Sequence, residues 1–242
     1  MQYVEDVVQL SQRLRAERKF QLAYEKVEQN ASILGLSQDY VWAHQPILWS
    51  DISAGICRLT RRKKEDAQFL VTLWNDKQFI HEFHRHAKDL TTDTALLSMT
   101  LEREFTSILP EINQLHWVVR DKSGQAFGLL SLTNVSITNK SAEVLLGLVP
   151  HAPIGLATAA MLILFQFFFK ALGFHKLYSF IYEDNPHSLK GTLHLGFKQE
   201  GVLREHVMDP TSGRFVNLIQ TGLLASEVDS KSNLRLMERL LK

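Results

Sequence analysis

Residues 154–169 read Ile-Gly-Leu-Ala-Thr-Ala-Ala-Met-Leu-Ile-Leu-Phe-Gln-Phe-Phe-Phe, and the first charge after them is Lys170. A helix that is apolar on every side has to be enclosed. Roughly 20 apolar residues are needed to cross a bilayer, whereas this run is shorter, contains Gln166 and follows Pro150, Pro153 and Gly155. The expectation is therefore a helix buried in a core and packed on a sheet, with no membrane span. Strands are expected on both sides of it. Residues 142–149 include the continuous Val144-Leu145-Leu146, which implies burial on both faces, and residues 176–182 form another apolar stretch. A strand that runs through a Pro/Gly loop into a helix start builds an anion cradle, because the first-turn amides lack partners and sit at the positive end of the helix dipole.

The rest of the chain sets limits. With 242 residues, 45% of them apolar, it can bury one full core and carry a small extra module, but not two large domains. Twenty-seven basic and 26 acidic side chains give a formal charge of +1, too little positive field to hold a phosphate backbone, so nucleic acid is excluded as a general partner. The single cysteine, Cys57, rules out an internal disulfide. The start, Met1-Gln2-Tyr3-Val4-Glu5-Asp6, lacks the basic and apolar regions of a secretion signal, so a cytoplasmic setting is expected.

Helical spacing recurs twice before residue 36: Val4, Val7, Val8, Leu10 and Leu14, then Phe20, Leu22, Ala23, Val27, Ile33 and Leu34, with Gly35 as a stop. Residues 1–53 read as an all-helical N-terminal extension, expected to be the docking face for any partner or second copy. Residues 54–228 form the main domain, and residues 229–242 an amphipathic helical tail that can cover the core or a neighbour. Within the main domain a strand is expected over 56–60. Helices follow around Phe69-Leu70-Leu73-Trp74, around Phe79-Ile80-Phe83, and around Leu97-Leu101-Phe105-Ile108 before Pro110. A hairpin turns at 121–124, and the closing elements are a helix over 186–195 and strands over 202–207 and 215–223. Strands flank helices rather than alternating with them, which points to an α/β (α+β) sandwich on a mixed sheet.

Three segments carry a family likeness: residues 142–149, the loop and helix start at Gly155-Leu156-Ala157, and Asn185-Pro186-His187-Ser188 followed by residues 195–201, Leu-Gly-Phe-Lys-Gln-Glu-Gly. In this order and spacing the chain resembles the GNAT superfamily of N-acetyltransferases, near the branch of ribosomal-protein and amino-sugar acetyltransferases. The resemblance covers about residues 55–227. It implies a mostly antiparallel central sheet and acetyl transfer from acetyl-CoA, as co-substrate, to a small-molecule or peptide amine in a ternary complex, without a metal. It places the pantetheine along Leu146, Gly147, Leu148 and Val149, where a backbone amide polarises the thioester carbonyl. The pyrophosphate falls on Ile154, Gly155, Leu156, Ala157 and Thr158, with Asn185 and Ser188 completing the cofactor site. Where relatives begin the loop with Gln or Arg this chain has Ala152, and Pro153 removes an amide donor.

Acetylating an amine requires a base to free the amine and an acid to return a proton to the leaving thiolate. Many relatives place a tyrosine seven residues after the motif asparagine; here that position is Thr192, which leaves Ser188 as the candidate acid. Ser188 also reads as a partner in a helix cap. Glu143 and Glu205 are the candidate bases, although each also reads as a solvated charge. Asn75, Asp76, His84 and Trp117 are candidate acceptor contacts. His81, His84 and His86 are spaced to splay round a helix and lack a further ligand, so no metal is expected. The departures at Ala152, Pro153 and Thr192 keep open an alternative: a degenerate, non-catalytic module that binds acyl-CoA or a protein.

Overall fold

A computed structural model describes residues 2–85, 90–106 and 113–242, apart from the side chains of residues 2–6 and 39. Eight strands form one sheet in the order β1-β2-β3-β4-β5-β6-β8-β7. They are β1 (Ile52–Ala54), β2 (Cys57–Arg61), β3 (Leu115–Asp121), β4 (Ala126–Ser136), β5 (Ser141–Leu148), β6 (Lys176–Tyr182), β7 (Lys198–Met208) and β8 (Phe215–Leu224). Every pairing is antiparallel except β5 with β6. The mixed, mostly antiparallel α/β sheet is the architecture that the segment order implies. It starts at Ile52, inside the span read as extension, because the turn at Gly55 folds β1 back on β2.

Before the sheet come α1 (Gln2–Ala16), α2 (Phe20–Leu34) and the short α3 (Gln38–Trp42). Gly35 closes α2 in the left-handed conformation, φ 61°, and its amide returns to Ser32 while that of Leu36 returns to Ala31; glycine adopts this φ without a Cβ penalty. The extension is seated on the main core by aromatic contact. Phe20 stacks on Trp49 with ring centres 5.8 Å apart, and Arg15 is buried with its guanidinium 4.2 Å from the Trp49 ring.

One face of the sheet carries α4 (Ala67–Asn75), α5 (Lys77–Phe83) and α6 (Thr94–Glu104), which share a core of Leu70, Val71, Leu73, Phe79, Leu97, Leu101 and Leu129. Ile108 and Pro110, read as the end of the third of these helices, lie outside the described residues. The opposite face carries α7 (Leu156–Phe165), the apolar helix, which continues as a π-helical segment, Gln166–Ala171. The phenylalanines 165, 167, 168 and 169 are all buried, since the sheet covers one side and neighbouring elements the others; Trp117 meets Phe167 edge-on at 5.6 Å. No helix among the described residues is long and apolar enough to cross a membrane. Two further helices complete the chain: α8 (Pro186–His194), and α9 (Lys231–Leu240), which packs on α7 through Leu236, Met237 and Leu240.

Candidate active site

The parallel pairing of β5 with β6 covers three residue pairs, Ser141–Lys176, Ala142–Leu177 and Glu143–Tyr178, after which the strands separate. The rest of β5, residues 144–148, keeps its bonds to β4 but has none to β6. Leu145 and Leu146 are therefore only partly buried, where the sequence implied a strand enclosed on both faces. The separation leaves a gap in the sheet, which Leu146 borders.

That gap is a cleft of about 510 Å³. Its walls are Gln78, Phe79, Glu82 and Phe83 of α5, the free end of β5 through Val149, the loop to α7 with the first turns of that helix, and one side of α8 from His187 to Leu195 with Phe197 behind it. Gly147 makes room for α5: a Cβ there would stand 2.7 Å from Phe83 and 2.9 Å from Phe79. At the loop, Gly155 takes φ 86° and opens α7. The amide of Leu156 turns back to Pro153 O at 3.1 Å, and that of Ala159 to Gly155 O at 2.9 Å. Ala157 and Thr158, which line the cleft, thus keep first-turn amides without a backbone acceptor, the arrangement that favours an anion. Among the described lining residues the only fully charged side chain is Glu82, and there is no lysine or arginine. The apolar walls suit a pantetheine arm, and a pyrophosphate has the dipole and amides of α7 to rest on.

On the far wall Asn185 caps α8. Its Oδ1 accepts from the Ser188 amide at 3.0 Å, so the asparagine fills the cap while Ser188 lines the cleft. Thr192 lines it one turn further on.

Glu143 sits where β5 and β6 part, on the face that carries α5. Its carboxylate accepts from Asn134 Nδ2 at 2.9 Å and Thr133 Oγ1 at 3.2 Å. A register shift in β4 with Asn134 at φ 49° turns the asparagine amide toward it. Tyr178 stands beside it on β6, and Tyr182 follows on the same face. Burial, and then the charge of Glu143, raise the Tyr178 phenol; burial is also the main cause at Tyr182, where Glu143 adds to the rise and Arg85 opposes it. Arg85 is buried over the Tyr182 ring at 4.0 Å and makes a two-pronged ion pair with Asp184, tying the end of α5 to β6.

Several sequence expectations fall elsewhere. Leu146, Gly147, Leu148, Val149, Gly155, Ala157, Thr158, Asn185 and Ser188 are brought together in the cleft. Ile154 is fully exposed at the tip of the loop and Leu156 is buried in the core, so neither side chain lines it. Trp117 is wholly buried against Phe167 and offers an acceptor no surface; its period-two neighbours put it on the α7 face. Glu205 lies in a bulge of the edge strand β7 at φ 46°, with its amide on Asn217 Oδ1 at 2.7 Å, and borders a separate shallow pocket with Arg204 and His206. His84 is exposed at the end of α5 and outside the cleft lining. Asn75 bonds back to Val71 O and Asp76 caps α5, both structural tasks. His86 lies outside the described residues, and no group of metal ligands occurs among those described. What the sequence missed is that Phe79 and Phe83 of α5 line the cleft. Phe79 and Phe83 repeat at core spacing, and nothing in that repeat reveals that a glycine on a distant strand receives them.

The acetyltransferase (GNAT) domain family matches residues 57–198. Among solved structures the chain is similar to a spermidine N-acetyltransferase from Vibrio cholerae in complex with CoA and spermine, with a TM-score of 0.62 and 20% identity over 72% of this chain and 98% of that one. A point mutant of that enzyme gives 0.60 and 21% over 73% and 98%. At such identity the likeness speaks for the fold. No curated protein matches the chain. The family match takes in more than half of the chain, from β2 to the start of β7, and with it the parted strands, the loop and the three helices that build the cleft, so this chain belongs to the GNAT acetyltransferase family.

Proposed function

We propose that the chain acetylates the primary amine of a small cationic acceptor, by direct attack on acetyl-CoA in a ternary complex. Acetyl-CoA-dependent transfer to an amine follows from the family. The observation that carries the rest is the parting of β5 and β6 at Glu143–Tyr178, which opens a cleft from the start of α7 along β5 as far as Val144, the residue next to Glu143. In this reading the Ala157 and Thr158 amides take the pyrophosphate, and the β5 residues 146–149 guide the pantetheine. A backbone amide at the free end of β5 polarises the thioester carbonyl. Glu143 accepts the amine's proton as its nitrogen bonds to the carbonyl carbon. The carbon–sulfur bond breaks, Ser188 donates the proton that gives free CoA thiol, and exchange with water returns a proton to Ser188 and removes the one that Glu143 took. The acceptor class rests on charge: Glu82 offers a carboxylate with no lysine or arginine among the described lining residues, Glu143 adds a second carboxylate where the strands part, and one solved relative is a spermidine N-acetyltransferase in complex with CoA and spermine.

The test is titration with acetyl-CoA by calorimetry, followed by thiol release with spermidine, spermine, monoamines, amino sugars and peptides with free N-termini. Binding and release with the polycationic amines are expected. Absence of binding at millimolar acetyl-CoA overturns the reading of the cleft, and preference for a neutral amino sugar or peptide overturns the acceptor class.

A further inference from the structure

The last helix lies beyond the family match, yet its two ends reach the two walls of the cleft. At its C-terminal end Leu240 is held between two glycines. Its carbonyl accepts from the Ile56 amide at 3.2 Å, and a Cβ on Gly55 would fall 1.8 Å from that oxygen, so this backbone crossing is open to glycine alone. Its side chain ends 3.3 Å from where a Cβ of Gly155 would be, with Ile56 alongside at 3.7 Å. Gly155 is the residue whose left-handed turn starts α7 and aims its first amides.

The N-terminal end is fixed with equal care. Ser230 caps the helix by accepting from the Asn233 amide at 3.2 Å. Asn233 is fully buried, and its Nδ2 donates to Leu195 O and Val228 O, each at 3.0 Å. Leu195 closes α8 and lines the cleft, and a Cβ on the next residue, Gly196, would stand 3.6 Å from Asn233 Nδ2. A rigid ten-residue helix thus links the end of α8 to the turn that begins α7.

From these contacts we infer that α9 is a strap that sets the geometry of the phosphate loop, with Leu240 as a positioning residue for acetyl-CoA. This rests on the reading that the cleft holds acetyl-CoA. The reason the loop needs support is local. Pro153 supplies no amide, and no lysine or arginine is among the described residues that line the cleft, so the direction of the remaining amides carries the recognition of the phosphates. Such donors act by being fixed in place beforehand, and Leu240 is the side chain that packs on the glycine from which they start.

The experiment compares wild type with Leu240→Ala in two donors, acetyl-CoA and acetyl-pantetheine, which lacks the pyrophosphate. For acetyl-CoA, Leu240→Ala is expected to raise KM and the calorimetric Kd about fivefold or more while kcat stays within about twofold. For acetyl-pantetheine the two proteins should have the same KM, and Leu240→Met should behave as wild type with both donors. Leu240→Val makes the same comparison if the alanine variant is too unstable to purify. An equal rise in KM for both donors, or a lowered melting temperature with unchanged acetyl-CoA affinity, overturns the inference. Failure of the wild type itself to bind acetyl-CoA instead overturns the reading of the cleft.

Discussion

Glu143 and Tyr178 are the last residues that β5 and β6 pair, and beyond them the sheet is open. A carboxylate at that point is held by Asn134 and Thr133 rather than by a cation, so it remains available to an incoming ammonium or to a proton. Glu143→Gln keeps the shape and both neighbours but cannot take a proton. A positioned base is worth about 10² to 10⁴ in rate, so kcat should fall at least about a hundredfold while acetyl-CoA binds as before. Steady-state kinetics with spermidine, alongside calorimetry with acetyl-CoA, makes the check. Unchanged kcat would remove Glu143 from the chemistry.

Gly147 answers a steric demand of a different kind. Phe79 and Phe83, which stack on each other at 5.2 Å, fill the space that any side chain on residue 147 would need. Gly147→Val has to push α5 off the strand, and overpacking of this kind costs about 1–3 kcal/mol. The expected result is a lower melting temperature together with loss of acetyl-CoA binding. Phe83→Ala in the same chain should restore part of both, since it removes the ring 2.7 Å away. Independent, additive losses in the double variant would show that the two residues do not share the space.

The cleft was legible in the sequence wherever chemistry follows the backbone. Gly155, Asn185 and Ser188 act through turns and caps, and their spacing along the chain survives folding unchanged. Gly35 was readable as a helix stop for the same reason. Residues whose role depends on which strand or helix lies opposite were not legible. Trp117 reads as well for a ligand wall as for a core, and only pairing register puts it against Phe167. Glu205 follows a strand in sequence, but the bulge between Leu203 and Val207 turns its backbone to Asn217, away from the gap. Leu240 looked like one apolar residue of a tail, and its seat between Gly55 and Gly155 joins it to segments 185 and 85 residues away in the chain.

Thr192 lines the cleft at the position where many relatives carry a tyrosine, and Ser188 lines it one turn earlier. If Ser188 protonates the thiolate, Ser188→Ala should lower kcat about tenfold or more with little change in acetyl-CoA affinity, because the cap uses the Ser188 amide and not its hydroxyl. Adding Thr192→Tyr to that variant supplies a phenol on the same wall and should recover part of the lost rate. Equal kcat for wild type and Ser188→Ala counts against the serine.

Acid sensitivity should come first from two buried imidazoles. His116 lies between Ser131 Oγ, 2.7 Å from Nδ1, and Gln114 Oε1, 3.0 Å from Nε2, a pair of partners suited to a neutral ring that donates from Nε2. Burial, and then the charges of Arg62 and Arg61, hold its pKa well below the ordinary value. His44 is likewise buried, and chiefly for that reason its pKa is lowered to about 4, with Arg15 adding to the effect and the Tyr40 carbonyl opposing it. In both, the folded pKa lies below that of the unfolded chain, so the unfolded state binds protons first as pH falls. The stabilisation is complete above about pH 6.5 and is lost progressively below it, down to about pH 4 for His44, with a limiting slope of about 1.4 kcal/mol per pH for each imidazole. Urea unfolding between pH 7.5 and 4.5 should therefore show stability dropping toward the acid end. His44→Gln and His116→Gln should each flatten that slope, even where they lower stability at pH 7.5, because glutamine has no proton to gain. An unchanged slope in both variants would assign the acid sensitivity to other groups. The ion-paired carboxylate of Asp184, lowered chiefly by Arg85, keeps its contribution to stability above the ordinary aspartate range and loses it only as pH falls below that range, so its window lies under the pH interval of this titration.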